Sequence, residues 1–90
     1  MNKAELVAAV FATGNYGSRA AAAQVVQDVL GATADGVVGD GRVQIAGFGT
    51  FFVKEREAHP GRNPRSGEAV RVEASRSVGF RPSKVLKGSL

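Results

Sequence analysis

Ninety residues without a cysteine read as one small domain that has neither disulfides nor thiolate metal sites, a composition suited to a reducing compartment. A chain of this size buries only about 60–65% of its unfolded surface, so its core is expected to be completed by a second copy. Twelve Lys and Arg against eight Asp and Glu give a net charge of +4, which excludes an acidic protein and leaves a polyanion binder or a solvated basic face open.

Near the start, Leu6, Val7, Val10 and Phe11 repeat at helical spacing. Asn2 followed by Glu5 has the form of a capping box, so the first helix is predicted over residues 3–13. The opening run is charged and far too short to span a membrane, and it does not read as a leader peptide; a cytosolic protein is expected. Gly14-Asn15-Tyr16-Gly17 breaks the helix, and Ser18 is positioned to cap a second one. That helix carries Val25, Val26, Val29 and Leu30 on one stripe, continued by Ala34, Val37 and Val38. Gly31 and Gly36 each cost it about 1 kcal/mol relative to Ala, so packing must hold it. Gly39-Asp40-Gly41 is expected to end it.

Arg42–Ala46 alternates polar and apolar with the period of a strand. Gly47-Phe48-Gly49 turns into a second strand, beginning Phe51-Phe52-Val53 and continuing as the charged ribbon Lys54-Glu55-Arg56-Glu57. Glu68–Glu73 alternates again as the returning strand, and residues 74–80 lead back to the body. Arg81-Pro82 interrupts, and Ser83 can cap a last helix of one or two turns through Lys84-Val85-Leu86-Lys87. The order α-α-β-β-β-α, with helices segregated from an antiparallel sheet, is α+β. A long solvated strand pair is of little use to an isolated domain but suits one that docks on something charged.

At the far end of the ribbon lies Gly61-Arg62-Asn63-Pro64-Arg65-Ser66-Gly67. Asn63 is biased towards extended backbone by Pro64, Pro64 offers no N–H to a ladder, and Gly67 can take a positive φ. The stretch reads as a hairpin tip. Charge is unevenly divided: residues 1–50 hold three cations and four acids, residues 51–90 nine cations and four acids, and eight of the twelve cations are arginine. Arginine is the side chain best shaped for bidentate phosphate contact.

Gly47-Phe48-Gly49-Thr50-Phe51, Arg56 and Gly61–Glu68, together with Met1–Leu6 and Phe80-Arg81-Pro82-Ser83-Lys84, resemble the HU and integration host factor family of bacterial histone-like proteins from end to end. The resemblance implies architectural binding in the minor groove of DNA. The resemblance implies a single domain over residues 1–90, divided into a helical dimerisation part (1–40), a saddle and arm (41–81) and a C-terminal helix (83–88). It implies an intertwined homodimer whose two β-ribbon arms embrace double-stranded DNA in the bacterial nucleoid. Pro64 matches the proline that intercalates between base pairs, flanked by Arg62, Asn63 and Arg65. Lys54, Arg56, Arg71 and Arg76 match cations along the arm or its base; Arg81, Lys84 and Lys87 match those near the last helix, and Lys3 the N-terminal one. Phe48, Phe51 and Phe80 match the aromatic dimer core, while alternation puts Phe52 on the opposite strand face from Phe51.

Some positions depart from the family pattern. His59 stands where arginine is usual, Ser66 replaces threonine, and the Gly14–Gly17 turn is one residue longer. Gln27 occupies an often acidic position that can pair with Lys3, with Asp28 adjacent, and the second helix is poor in lysine. An enzyme is not expected: the one histidine lies in the arm, no thiol is present, and no carboxylate pair, phosphate loop or metal-ligand spacing appears. Cofactors and small-molecule substrates are not expected either. The leading function is largely sequence-independent DNA bending and compaction. The alternatives are a site-selective, host-factor-like bender and an RNA-binding or scaffolding module.

Overall fold

A computed structural model describes residues 1–63 and 65–90. Its elements are α1 (Lys3–Phe11), α2 (Arg19–Asp40), β1 (Arg42–Ile45), β2 (Gly49–Arg56), β3 (His59–Arg62), β4 (Ala69–Val72), β5 (Ser75–Pro82) and α3 (Lys84–Gly88). They fall into two compact units, Met1–Gly36 and Val37–Leu90.

In the first unit the Asn2 side chain accepts from Glu5 N at 2.9 Å and starts α1. The helix stops two residues before the predicted end. Thr13 N donates to Val10 O and Gly14 N to Phe11 O, so the last turn tightens to i→i−3 bonding. The Thr13 hydroxyl also donates to Val10 O at 2.7 Å. Ser18 Oγ then accepts from Ala21 N at 3.1 Å and opens α2. Ala22 and Val26 are buried, and Leu6, Val10, Tyr16, Val25, Val29 and Leu30 form the walls of an apolar hollow beside Val26.

In the second unit α2 ends where its backbone meets Gly41, which at φ +74° donates to Val37 O at 3.0 Å. The sheet is antiparallel in the order β1-β2-β5. Val43 faces Phe51 across β1 and β2, and Phe51 faces Phe80 across β2 and β5. Beyond it, β3 and β4 form a two-stranded ribbon pairing His59 with Val72 and Arg62 with Ala69.

The expected pair of long strands is thus divided, with pairing lost at residues 57–58 and 73–74. There His59 Nδ1 donates to Glu57 O at 3.2 Å. Register survives: Arg56↔Ser75 is followed by His59↔Val72, three residues on along one strand and three back along the other. The returning chain caps α3 through Ser83 Oγ, which accepts from Leu86 N at 3.1 Å, and Ser83 N donates to Phe48 O at 2.9 Å. Among the described residues no helix is long and apolar enough to cross a membrane.

Candidate nucleic-acid interface

Because side chains alternate along a strand and paired residues share a face, the register sorts the sheet into two chemistries. One face carries Val43, Ile45, Phe51, Val53, Val78 and Phe80. The rings of Phe48, Phe51 and Phe80 cluster there, with centroids 4.8 Å apart for Phe51 and Phe80 and 5.4 Å for Phe48 and Phe80. Gly49 leaves room for Phe80: a Cβ at that position would stand 2.5 Å from Phe80 Cζ. Phe48 and Phe80 nevertheless remain 45% and 40% exposed.

The other face is cationic. Lys54, Arg56 and Arg81 lie on it among Thr50, Ser75 and Ser77, and Arg42 joins them from β1 because it pairs with Phe52. Beyond the break, Arg62 and Arg71 share one face of the two-stranded ribbon. Phe52 also lies on this face, opposite Gly79, with the Lys54 ammonium 5.9 Å and the Arg81 guanidinium 5.5 Å from its ring centroid.

The register does not bring every sequence-predicted cation to this face. Arg76 lies on the apolar side, paired with Glu55 at 3.2 Å. Arg71 stands 3.7 Å from Glu73 on its own strand. Both pairs are mostly exposed, and such pairs contribute only about 0–1 kcal/mol, so neither holds its arginine firmly. Lys84 and Lys87 are exposed on α3. Lys3, in the first unit, donates to Gln27 Oε1, so a neutral amide serves as its acceptor, while Asp28 accepts from Gln24 at 2.8 Å.

At the tip, Asn63 N donates to Glu68 O and Gly67 N to Asn63 O, each at 2.8 Å, and Gly67 takes φ +69°. Asn63 Oδ1 accepts from Arg65 N at 2.9 Å, and Arg62 donates to Gly67 O at 3.2 Å. Asn63 is therefore occupied in shaping the turn, while Arg65 is exposed. Pro64, the expected wedge, lies outside the described residues.

Counting by twos along β2 puts Phe52 with Lys54 and opposite Phe51, as the alternation in the sequence implied, whereas Arg42 escaped the sequence reading as a residue of this face. Arg42 needs the β1–β2 register. The same counting would have separated Arg76 from Arg81, which are five residues apart and so on opposite faces.

Fold and face together define a class: small α+β proteins that present a basic sheet face extended by a β-ribbon. The family model described as "Bacterial DNA-binding protein" matches residues 1–90. The chain belongs to that family, the HU and integration host factor proteins. It is 39% identical over 90 residues to DNA-binding protein HU 1 of Bacillus subtilis (strain 168), covering all of this chain and 97% of that one. It is 36% identical to integration host factor subunit alpha of Anaeromyxobacter sp. (strain Fw109-5), covering 100% and 90%. The Anabaena HU–DNA cocrystal structure superposes with a TM-score of 0.84 at 32% identity, covering 99% and 96% of the two chains. The family is one of non-catalytic proteins, and the chain is not an enzyme.

Proposed function

We propose that the chain acts as an intertwined homodimer that binds double-stranded DNA with little regard to sequence, bends it and helps compact the nucleoid. The observation that carries this reading is the division of the sheet into an apolar face and a cationic one, with Arg62 and Arg71 together on one face of the ribbon that follows. The helical part over residues 1–40 and the cluster of Phe48, Phe51 and Phe80 form the dimer interface. The saddle and arm over residues 41–81 take the DNA, with Lys84 and Lys87 adding phosphate contacts from the C-terminal helix. The Anabaena protein is seen together with DNA in its cocrystal structure, and the likeness to it supports the same ligand here.

The mechanism has an electrostatic part and a mechanical one. Arg42, Lys54, Arg56, Arg62, Arg65, Arg71 and Arg81 displace counterions from phosphates, which makes affinity fall steeply with salt. Pro64 of each subunit, held between Asn63 and Arg65, then wedges into the minor groove. Unstacking costs a few kcal/mol, which the extra phosphate contacts of bent DNA offset. Arg76 and Lys3 contribute by leaving weak exposed partners for phosphate.

The test is affinity for linear and nicked duplexes as a function of salt, on the wild type and Pro64→Ala, with bending read by energy transfer between the DNA ends. Wild type should lose roughly 10³–10⁵ in affinity between 50 and 200 mM salt and prefer the nicked duplex. Pro64→Ala should keep the salt slope and lose most of the bend. Unchanged bending in Pro64→Ala would sink the wedge, and salt-independent affinity would sink the electrostatic reading.

A further inference from the structure

The cationic face holds one side chain that its chemistry does not call for. Phe52 lies among Arg42, Thr50, Lys54, Ser77, Gly79 and Arg81, away from the aromatic cluster, which occupies the other face. It is only partly buried there. What it touches is specific. Across the ladder it meets Gly79, where an added Cβ would stand 2.7 Å from Phe52 Cζ and 2.5 Å from Lys54 Cε. The missing side chain at 79 therefore lets the ring and the lysine stem settle onto β5.

Lys54 is two residues along the same strand and Arg81 is diagonal on the next, so the ring stands between them along the ribbon. Both charged groups lie within 6 Å of its centroid. Neither has a carboxylate within ion-pair distance among the described residues, in contrast to Arg71 and Arg76.

We infer that Phe52 is a positioning residue for DNA binding, holding Lys54 and Arg81 on either side of its ring beside Arg42 and so presenting preset cations to phosphate. The inference rests on the reading of this face as the DNA surface. A carboxylate would hold the same two side chains but neutralise them and would have to be displaced when phosphate arrives. An aromatic face attracts a cation through its quadrupole and leaves the formal charge intact. Lysine and arginine lose much rotamer freedom when they bind, and a ring that restricts them beforehand reduces that cost at the moment of contact. Phe52 thus contributes through its neighbours, without itself reading a base.

The experiment measures the slope of log affinity against log salt for a random duplex, alongside thermal midpoint and dimer state. It compares wild type with Phe52→Leu, Phe52→Tyr and Gly79→Ala, none of which alters net charge. Phe52→Leu keeps an apolar cover over Gly79 but removes the π face. It should flatten the slope by about one unit or more, as losing one phosphate contact does, and weaken binding several-fold at moderate salt. Phe52→Tyr keeps the ring and should keep the slope. Gly79→Ala, whose Cβ displaces both ring and lysine stem, should flatten it as well and serves alone should Phe52→Leu not fold.

A lower thermal midpoint with an unchanged slope in Phe52→Leu, or an unchanged slope in Gly79→Ala, would overturn the inference and leave Phe52 as packing. So would a flattened slope in Phe52→Tyr. A flat slope in the wild type would overturn the DNA reading itself, whereas a steep wild type with unaltered variants overturns this inference alone.

Discussion

Gly49 shows how much one missing side chain decides on the apolar face. A Cβ there would stand 2.6 Å from the Arg81 carbonyl oxygen as well as 2.5 Å from Phe80 Cζ. The ring can swing, but the carbonyl is fixed by the β2–β5 ladder. Gly49→Ala must therefore move strand or ring, and overpacking of this kind costs about 1–3 kcal/mol. Thermal denaturation should show a midpoint lowered by several degrees; an unaltered midpoint would mean that the Phe48–Phe51–Phe80 cluster repacks freely. The residues Gly47-Phe48-Gly49 were legible in the sequence as a turn into a strand. Their further role was not, because the partner that makes Gly49 necessary is Phe80, some thirty positions away, and only the register brings the two together.

Single elements were the best-read scale because their ends are set by neighbours in sequence. Asn2, Ser18 and Ser83 each accept a backbone N–H three residues on, as their residue types and positions led one to expect. The interruption of the long ribbon was not legible: the charged run Lys54–Glu57 carries no mark of a break, and pairing stops at residues 57–58 and 73–74, where His59 Nδ1 donates to the Glu57 carbonyl. The placement of Arg42 was hidden for a different reason, since a strand's own alternation says which of its residues share a face and not which residues of another strand join them. Caps offer a clean check on element-scale energetics. Ser18→Ala removes the acceptor for Ala21 N and should cost about 1 kcal/mol, while Ser18→Gly, which leaves that end of the helix open to water, should cost only a few tenths. Equal losses for the two variants in chemical denaturation would show that the Ser18 hydroxyl contributes nothing as a cap.

For the whole molecule the decisive quantity is how little one chain buries. Among the described residues only Ala22, Val26 and Val37 form a buried hydrophobic core, and no large side chain is fully buried. Val29 and Val78 stand 58% and 62% exposed, and Phe48 and Phe80 45% and 40%. Isolated exposed valines are ordinary, but an apolar helix stripe in the first unit and an apolar sheet face in the second are what a small chain leaves for a partner. If a second copy covers them, folding and association are one equilibrium, and stability depends on protein concentration. Tenfold dilution should lower the thermal midpoint measurably, and Phe80→Ala, deleting a ring from the shared core, should cost about 3–5 kcal/mol per buried ring. A midpoint independent of concentration would mean that one chain stabilises itself, and the two-armed grip on DNA would lose its physical basis. The same dependence ties the proposed function to assembly: a lone subunit has one ribbon tip, and so offers one of the two proposed wedges and half of the phosphate contacts that hold a bend. Diluting below the dimer's dissociation constant should therefore abolish DNA bending along with the cooperative thermal transition, and bending that persisted after the transition had gone would separate the two.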